Sequence, residues 1–298
     1  NAILLQLIVF KAFYKEKAAL ICKIKTNGIL YLCGMLKTTL LNAVNAGANE
    51  IRRYYNGSFT ISNKEGINNL VTEADHASEK AIFDVIKKEF PNHFILSEET
   101  GEIVTNSEYK WIIDPIDGTV NFANGIPLCC VSIGVEHNGK MVLGAVYAPI
   151  LNEMYFAETK KGATLNDKKI QVSNKQELVN SCLVTGFPYT YLDSPNGPLQ
   201  IFEKLIRCGI PVRRLGSAAI DLCWVAAGRF DGFYEHKLAA WDSAAGFLLV
   251  KEAGGKITDF KGNDFSPYQP HILATNGKIH EQLQAVVNGA QVKNASSL

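Results

Sequence analysis

The segment Trp111–Phe122 constrains the fold of this chain more than any other. It reads WIIDPIDGTVNF, and its apolar start predicts a buried strand that the Asp-Pro and Asp-Gly pairs are expected to end. Asp114 and Asp117 would then lie at the strand end, where two carboxylates can converge on one Mg²⁺ ion, which takes oxygen ligands at about 2.0–2.1 Å. Gly118 and Thr119 would offer backbone N–H groups to an anion. An ordinary pair of tight turns explains the same residues, and taken alone the segment favours it.

Length and composition bound the class of protein. The chain has 298 residues, enough for two subdomains with cores of their own, and its 47% hydrophobic and 20% charged residues are typical of a globular protein. A net charge of +1 gives no electrostatic reason to expect a nucleic-acid partner.

Cysteine and histidine spacing argues against zinc and disulfides. The seven cysteines contain no CxxC pair, so neither a disulfide framework nor a zinc ribbon is predicted, and a reducing cytoplasm fits best. The six histidines show no HxH or HExxH spacing, which leaves oxygen ligands as the candidate metal donors.

Residues 1–34 are interpreted as an N-terminal extension of unknown role. They contain no apolar run of the roughly 20 residues that span a bilayer, and their basic residues follow the first apolar run, whereas a signal peptide has them before it. We therefore expect no membrane segment there and begin the functional fold at Met35. The remaining chain is divided into an α+β subdomain over 35–180, which carries the metal site, and an α/β subdomain over 181–298, which completes the active site.

The first half predicts helices followed by strands. Helical spacing of apolar residues predicts a helix over Leu36–Tyr55, the polar stretch Ser62–Asn69 predicts a mobile loop, and Thr72–Asp75 has the form of a capping box that opens a second helix. Capping alone would explain Asp75. The strand Phe94–Leu96 runs into Glu98 and Glu99, which would either join the aspartates at one sheet edge or form a solvated acidic turn.

The strands that follow predict an α+β arrangement. Alternating apolar residues in Val131–Val135 and Met141–Tyr147 indicate a hairpin, and Glu153–Glu158 predicts a further strand. Beyond residue 180, strands and helices alternate, which favours a mixed, partly parallel sheet. In that region, Gly216-Ser217 and Trp241-Asp242 each lie at the start of an apolar helix.

Four separated features together resemble one known family. They are Glu98-Glu99 after a strand, the DPIDGT sequence of residues 114–119, GSAA at 216–219 and WDSAAG at 241–246. In this order and spacing they resemble the inositol monophosphatase family of Mg²⁺-dependent, lithium-sensitive phosphatases, and more specifically its bacterial members. The resemblance extends from Met35 to about residue 285. It implies an α+β fold, a layered αβαβα sandwich with an antiparallel N-terminal sheet and a mixed C-terminal sheet.

The resemblance implies a set of metal ligands for two to three Mg²⁺ ions. The first ion would be held by Glu98, Asp114 and the backbone carbonyl of Ile116, the second by Asp114, Asp117 and Asp242, and a weaker third by Glu98 and waters. Asp75 would support the metal shell as a catalytic residue together with Glu98 and Thr119. Lys64 matches a lysine on the family's mobile loop.

The resemblance also implies the substrate contacts. Gly118 and Thr119 match the phosphate-binding backbone, and Ser217, Ala218 and Glu235 match the polyol-contacting region, with Asp117 close to the sugar. The chemistry suits these residue types, because Mg²⁺ lowers the pKa of water and Thr119, bonded to a carboxylate, can orient that water. Hydrolysis of inositol monophosphate to inositol and phosphate is therefore the expected activity.

Other functions stay open at this point. Relatives that act on fructose 1,6-bisphosphate, histidinol phosphate or adenosine 3′,5′-bisphosphate share the same metal ligands, since fold and core motif do not define the substrate. A protein that works by binding, as a polyol-phosphate sensor or as a partner of the transcription machinery, is the alternative of a different class. The family's usual state implies a homodimer.

Overall fold

The computed structural model describes residues 32–63, 70–188 and 197–290. Its helices, in chain order, are α1 (32–54), α2 (Glu73–Glu89), α3 (Thr119–Ala123), α4 (Pro198–Arg207), α5 (Ala218–Ala226), α6 (Ala240–Glu252) and α7 (His280–Val287), with a short 3₁₀ turn at Leu178–Asn180. Its strands are β1 (Ile61–Asn63), β2 (Leu70–Thr72), β3 (Phe94–Ser97), β4 (Gly101–Ile103), β5 (Tyr109–Asp117), β6 (Cys130–His137), β7 (Lys140–Ala148), β8 (Glu153–Glu158), β9 (Gly162–Leu165), β10 (Lys168–Ile170), β11 (Leu183–Thr185), β12 (Val212–Arg213), β13 (Gly232–His236), β14 (Lys256–Thr258) and β15 (His271–Thr275).

Two large sheets organise the described residues. The first has eight strands in the order β10-β9-β8-β7-β6-β5-β3-β4, and the second has five in the order β12-β11-β13-β15-β14. The second sheet is mixed, as predicted, because β11 runs parallel to β12 and β13 while β15 runs antiparallel to β13 and β14. The first sheet is antiparallel except that β3 and β5 run parallel. The predicted antiparallel arrangement of this sheet therefore holds at its other strand pairs, and the β3–β5 pair is the exception.

The helices lie in three layers around the two sheets. The helices α1 and α2 pack on the outer face of the first sheet, α5 and α6 fill the space between the sheets, and α4 and α7 cover the outer face of the second. The predicted αβαβα sandwich is therefore confirmed.

Sequence pattern explains which helix occupies which layer. Helix α1 buries one stripe of residues at helical spacing (Leu36, Leu40, Val44, Ala48 and Ile51) and so covers only one sheet face. Helix α5, in contrast, buries residues on all sides. A helix that is apolar all round is stable only between two other layers.

The strand β5 differs from its prediction in one important respect. The Asp-Pro pair does not end the strand, which continues to Asp117 with a shift of register between Asp114 and Asp117. The bulge turns the strand locally and leaves the Pro115 carbonyl free to accept a hydrogen bond of 2.8 Å from the Ser78 hydroxyl of α2. This contact ties the bulge to the outer helix layer.

The helix starts agree with the capping signals in the sequence. Thr72 is the N-cap of α2 and forms the predicted capping box with Asp75. The helix α6 differs, because its N-cap is Ala239 and Asp242 lies three residues inside, where Oδ2 accepts the Ala239 N–H at 2.7 Å. Asp242 therefore lies in the first turn of α6, where its carboxylate stabilises the helix start.

Some sequence predictions fall at the edges of the described residues. The first helix already includes residues 32–34, which the sequence assigned to the extension, and Leu32 and Met35 pack against the core. The predicted loop over 62–69 begins as strand, since Ser62 pairs with Val71, whereas Lys64 lies outside the described residues. The division at residue 180 stays a prediction: the two sheets lie on either side of it, but one hydrophobic cluster joins them.

No helix within 32–63, 70–188 and 197–290 is both long enough and apolar enough to cross a bilayer.

Replacement of Ser78 by Ala should destabilise the protein by about 1–3 kcal/mol, because the Pro115 carbonyl then stays buried without its donor. Thermal or urea denaturation measures this change. His76→Ala, on the exposed side of the same helix, is the matched control and should change the free energy of unfolding by less than about 0.5 kcal/mol. Equal effects of the two substitutions would contradict the role given to the Ser78–Pro115 bond.

Candidate active site

Three carboxylates from two distant parts of the chain meet at one end of β5. Ligand oxygens of Asp114, Asp117 and Asp242 all lie within 4.8 Å of one another. The first two belong to β5, and the third is brought to them by the start of α6, which packs against β5. We call these three residues the carboxylate centre.

Asp114 is the residue whose environment most needs a cation. Its side chain is 1% exposed, and its Oδ1 has no hydrogen-bond partner. Burial raises the pKa of Asp114 well above its usual value, and the nearby charges of Glu98, Asp117, Asp242 and Asp75 raise it further. A buried carboxylate without a counter-charge is costly. A hard divalent cation would offset that cost, so the residues present fit Mg²⁺, whose ligands are oxygen atoms.

Asp117 is held in place by the start of α5. Its Oδ2 accepts hydrogen bonds from the Ser217 hydroxyl at 2.6 Å and from the Ala219 N–H at 2.7 Å. Burial raises the pKa of Asp117 to about 6, although the hydrogen bond from Ser217 and those from the backbone of Ala219 and Ala218 act to lower it. The Ser217 hydroxyl, predicted as a substrate contact, thus orients a predicted metal ligand.

Asp75 links the start of α2 to Thr119. Its Oδ2 accepts the Thr72 N–H at 2.8 Å and the Thr72 hydroxyl at 2.6 Å, while Oδ1 lies 3.2 Å from the Thr119 hydroxyl. That hydroxyl also lies 3.0 Å from the Ile116 carbonyl. Because a hydroxyl carries one hydrogen, Thr119 can donate to only one of these acceptors at a time. Asp75 therefore caps a helix and also contacts the predicted catalytic threonine.

Glu98 lies beside the carboxylate centre without belonging to the group within 4.8 Å. Its backbone N–H donates to the Ile113 carbonyl at 3.2 Å, and its charge is the largest of those that raise the pKa of Asp114. It follows β3 directly, as predicted, and the parallel pairing of β3 with β5 sets the two strand ends side by side.

Glu79 supports this turn and was missed by sequence reasoning. It is buried and accepts hydrogen bonds from the Ser97 hydroxyl at 2.5 Å, the Thr100 N–H at 3.0 Å and the Thr100 hydroxyl at 2.5 Å. A signal existed in the sequence, since Asp75, Ser78 and Glu79 lie on one face of α2, where positions i, i+3 and i+4 meet. Three polar residues on a buried face indicate a polar site beneath the helix.

Gly118 begins the predicted phosphate-binding segment. Its φ is +90°, and a Cβ added there would lie 2.7 Å from the Leu128 carbonyl oxygen, so only glycine fits. Asn121, which sequence reasoning also missed, donates to the carbonyls of Leu128 and Leu215, both at 2.8 Å. It thereby joins α3 to the loop before Ser217.

Glu235 lies at the end of β13, on the side of the carboxylate centre. It is 9% exposed, and burial, followed by the charges of Asp242 and Asp117, raises its pKa well above the usual value, whereas Arg214 acts to lower it. A Cβ on Gly186 would lie 2.1 Å from Glu235 Oε1, so this glycine leaves the space that the carboxylate occupies.

Asp221 is a further buried acid that sequence reasoning missed. It lies on α5, is 1% exposed, and has an Oδ1 without a hydrogen-bond partner. Burial and then the charge of Glu235 raise its pKa well above the usual value. An isolated aspartate inside an apolar helix gives no sequence signal of a site.

The described structure thus brings most of the predicted residues together. Contacts or charge effects connect Asp75, Glu98, Asp114, Ile116, Asp117, Thr119, Ser217, Ala218, Glu235 and Asp242. Chemically, the arrangement offers oxygen donors for hard cations, a threonine hydroxyl beside a carboxylate, and a separate acid at the end of β13. Lys64 lies outside the described residues.

Comparison with known proteins identifies the family. The chain is 43% identical over 242 residues to an inositol-1-monophosphatase of Synechocystis sp., covering 81% of this chain and 84% of that protein. It is 42% identical over 217 residues to the Nus factor SuhB of Pasteurella multocida, covering 72% and 81% respectively. The crystal structure of the SuhB protein of Bartonella henselae superimposes with a TM-score of 0.80 at 35% identity, covering 86% of this chain and 99% of that one.

The match extends over nearly all of the described residues. Residues 35–293 fit the model of the inositol monophosphatase family, and this range contains the carboxylate centre, Glu98, Thr119 and Glu235. The chain therefore belongs to the inositol monophosphatase family.

Proposed function

We propose that this protein is a Mg²⁺-dependent phosphatase that hydrolyses inositol monophosphate to inositol and phosphate, with two to three Mg²⁺ ions at the carboxylate centre and Glu98. The observation that carries the proposal is the meeting of Asp114, Asp117 and Asp242 within 4.8 Å around a buried Asp114 oxygen that has no partner. Family membership supports the phosphatase class. The name of the Synechocystis relative supports inositol 1-phosphate as the first substrate to test.

Bound Mg²⁺ supplies Lewis-acid chemistry, because it lowers the pKa of water and offsets charge on phosphoryl oxygens. The protein's own residues would orient the reaction. Thr119 can donate its hydrogen to Asp75 and accept one from a water, so the proton of the attacking water passes through Thr119 Oγ1 to the Asp75 carboxylate. The hydrogen bonds that Asp75 accepts from Thr72 hold it in the orientation this transfer needs.

Phosphate binding is assigned to the backbone around Gly118. The glycine allows a close approach of chain to ligand, and the first N–H groups of the following segment would point at the phosphoryl oxygens. Charge that develops on these oxygens is then met by N–H dipoles as well as by metal, so no covalent nucleophile is required.

The polyol end is assigned to Glu235, together with Ser217 and Ala218, as the family resemblance implies. A carboxylate there can accept hydrogen bonds from two neighbouring hydroxyl groups. Glu235 is separated in sequence from the carboxylate centre but lies close enough for Asp242 and Asp117 to raise its pKa. This position would place the alcohol part of the substrate next to the phosphate site.

A second candidate is a regulatory role in transcription. The relative from Pasteurella multocida is named a Nus factor, and such a role would need a binding partner rather than a catalytic centre. A panel of inositol 1-phosphate, fructose 1,6-bisphosphate, histidinol phosphate and adenosine 3′,5′-bisphosphate separates the candidates. Folded, Mg²⁺-loaded protein that releases phosphate from none of them would favour the regulatory role.

We further propose that the protein is a homodimer in the cytoplasm. Light scattering, which measures the molar mass in solution, tests the homodimer.

Activity should require Mg²⁺, be lost in EDTA and depend on Asp242. Asp242→Asn keeps an acceptor for the Ala239 N–H but removes a charged ligand, so the melting temperature should stay near normal. The rate of phosphate release should fall by about a hundredfold or more, and the Mg²⁺ requirement should rise. Lithium in the millimolar range should inhibit, as family resemblance implies.

Near-normal turnover of Asp242→Asn at ordinary Mg²⁺ would return Asp242 to a purely structural role at the start of α6. Full activity of the unchanged protein in EDTA would contradict the metal proposal as a whole. Asp84→Asn, an exposed acid on α2, is the control for a general effect of lost charge.

Mg²⁺ should stabilise the protein more at pH 8 than at pH 5. The pKa of Asp117 is raised to about 6 and that of Asp114 well above its usual value, so in metal-free protein these groups lower the free energy of unfolding as the pH rises through those values. Mg²⁺ binds the ionised form and reverses this loss. Differential scanning fluorimetry measures the melting temperature with and without Mg²⁺ at each pH. The titration of histidines elsewhere changes the melting temperature of both samples equally, so it cancels in the difference.

Asp114→Asn should raise the melting temperature of metal-free protein at pH 8 and reduce the stabilisation by Mg²⁺. An unchanged response of this variant to Mg²⁺ would show that the ion binds elsewhere.

Glu235→Gln should reduce kcat/KM for inositol 1-phosphate by about ten- to a hundredfold, because a hydrogen bond to a charged group is worth about 1.5–3 kcal/mol. The rate with a small phosphate ester that lacks a polyol should change little. An unchanged preference between the two substrates would contradict the assignment of Glu235 to the polyol.

A further inference from the structure

Asn121 connects two parts of the active site that lie far apart in the sequence. It belongs to α3, directly after the segment assigned to phosphate, and it is 7% exposed. Its Nδ2 donates to the Leu128 carbonyl and to the Leu215 carbonyl, both at 2.8 Å. Because both acceptors are carbonyl oxygens, only the NH₂ group of the amide can face them. Both hydrogens of this side chain are therefore engaged with backbone.

The Leu215 end of this connection carries residues assigned to the polyol. We call residues 215–219 the polyol loop; they enter α5 and include Ser217 and Ala218. Gly216 packs directly on the amide, since a Cβ added to it would lie 3.2 Å from both Nδ2 and Oδ1 of Asn121. The polyol loop is thus in contact with the amide through a hydrogen bond and through the adjacent glycine.

The Leu128 end brings the phosphate segment into the same contact. A Cβ added to Gly118 would lie 2.7 Å from the Leu128 carbonyl oxygen and 3.3 Å from the Gly216 carbonyl oxygen and from Ser217 Cβ. The chain around Gly118 and the polyol loop therefore touch, and the amide of Asn121 lies where they meet. A side chain that donates to both neighbours at once keeps them at one separation.

The polyol loop has two attachments of different kinds. Asp117 Oδ2 accepts the Ser217 hydroxyl at 2.6 Å and the Ala219 N–H at 2.7 Å. This attachment uses a charged group that is also assigned to metal. The attachment through Asn121 acts earlier in the loop, on Leu215, and uses a neutral amide. Asn121 can therefore hold the loop whether or not the carboxylate centre is occupied.

We propose that Asn121 is a positioning residue that sets the separation between the phosphate site and the polyol site, and thereby the preference for phosphate esters of a polyol over other phosphate esters. It acts on the substrate through the polyol loop, because both of its hydrogens are engaged with backbone. A substrate that reaches both sites must match their separation, whereas an ester without a polyol uses only the phosphate site and the carboxylate centre. This inference rests on the proposed function.

The ratio of kcat/KM for inositol 1-phosphate to kcat/KM for 4-nitrophenyl phosphate tests the proposal. A displacement of about 1 Å in a bound substrate can cost about a hundredfold in rate, so Asn121→Ala should lower this ratio by about tenfold or more. The matched control is Asn124→Ala, at the exposed end of the same helix, whose amide donates to the Val120 carbonyl at 2.8 Å. It should keep the ratio of the unchanged protein.

Equal losses with the two esters in Asn121→Ala, or no loss with either, would overturn the proposal. An equal fall of the ratio in Asn124→Ala would also overturn it. Asn121→Ser keeps a shorter donor and is the milder variant if Asn121→Ala does not fold. It should lower the ratio by a smaller factor, and an unchanged ratio in a folded Asn121→Ser would contradict the role of Asn121.

Hydrogen exchange measured by mass spectrometry tests the positioning without any phosphatase assay. Backbone N–H groups of residues 215–221 should exchange faster in metal-free Asn121→Ala than in the unchanged protein or Asn124→Ala, while β6 and β7 should exchange alike in all three. Equal exchange of residues 215–221 would overturn the inference. Unchanged protein that releases phosphate from neither ester would instead contradict the proposed function, so the two failures are distinguishable.

Discussion

Repulsion among buried carboxylates is the constraint on which the rest of the active site depends. Asp114 and Asp117 are both buried at the end of one strand, and Asp242 and Glu98 add further negative charge beside them. Like charges in a medium of low dielectric constant raise the free energy of the folded chain. The fold must therefore stabilise this arrangement by other means, and a bound cation would remove the repulsion directly. The cost of the metal-free arrangement is the physical reason for proposing metal dependence.

The protein stabilises the arrangement by giving several residues two tasks. Asp75 closes the capping box of α2 and contacts Thr119, and Asp242 accepts the N–H of the α6 N-cap while it faces Asp114. Ser217 is the N-cap of α5 and donates to Asp117. Helix starts favour negative charge because their N–H groups are unsatisfied. Three helix starts around one strand end thus offset part of the repulsion.

The alternation of β13 separates an active-site residue from a packing residue. Glu235 and His236 are neighbours on this strand, yet the acid lies on the side of the carboxylate centre, whereas the histidine shares the face of Tyr234, which packs with α4 and α7. His236 contacts the rings of Phe260 and His271 there. The same strand therefore serves the active site with one face and the outer core with the other.

Local sequence determined the elements and the main motifs. Apolar spacing predicted α1 and the strands β6 to β8, and the capping box predicted the start of α2, because these features depend on residues close together in the chain. The motifs DPIDGT, GSAA and WDSAAG are each local as well, and their order along the chain was sufficient to predict the family. Tertiary structure decided the rest. The bulge that lets β5 continue to Asp117 depends on pairing with β6, and the position of Ala239 as the N-cap of α6 depends on the path of the preceding loop.

Local sequence patterns also failed to predict the residues that act through contacts with distant parts of the chain. Glu79 supports a turn 18 to 21 residues away, and Asn121 joins loops that lie 7 and 94 residues away. The burial of Asp221 and the pairing of His236 with His271 depend on how strands and helices pack. Chain-local periodicity reports which face of an element is buried, but only the packed fold decides which polar groups meet there.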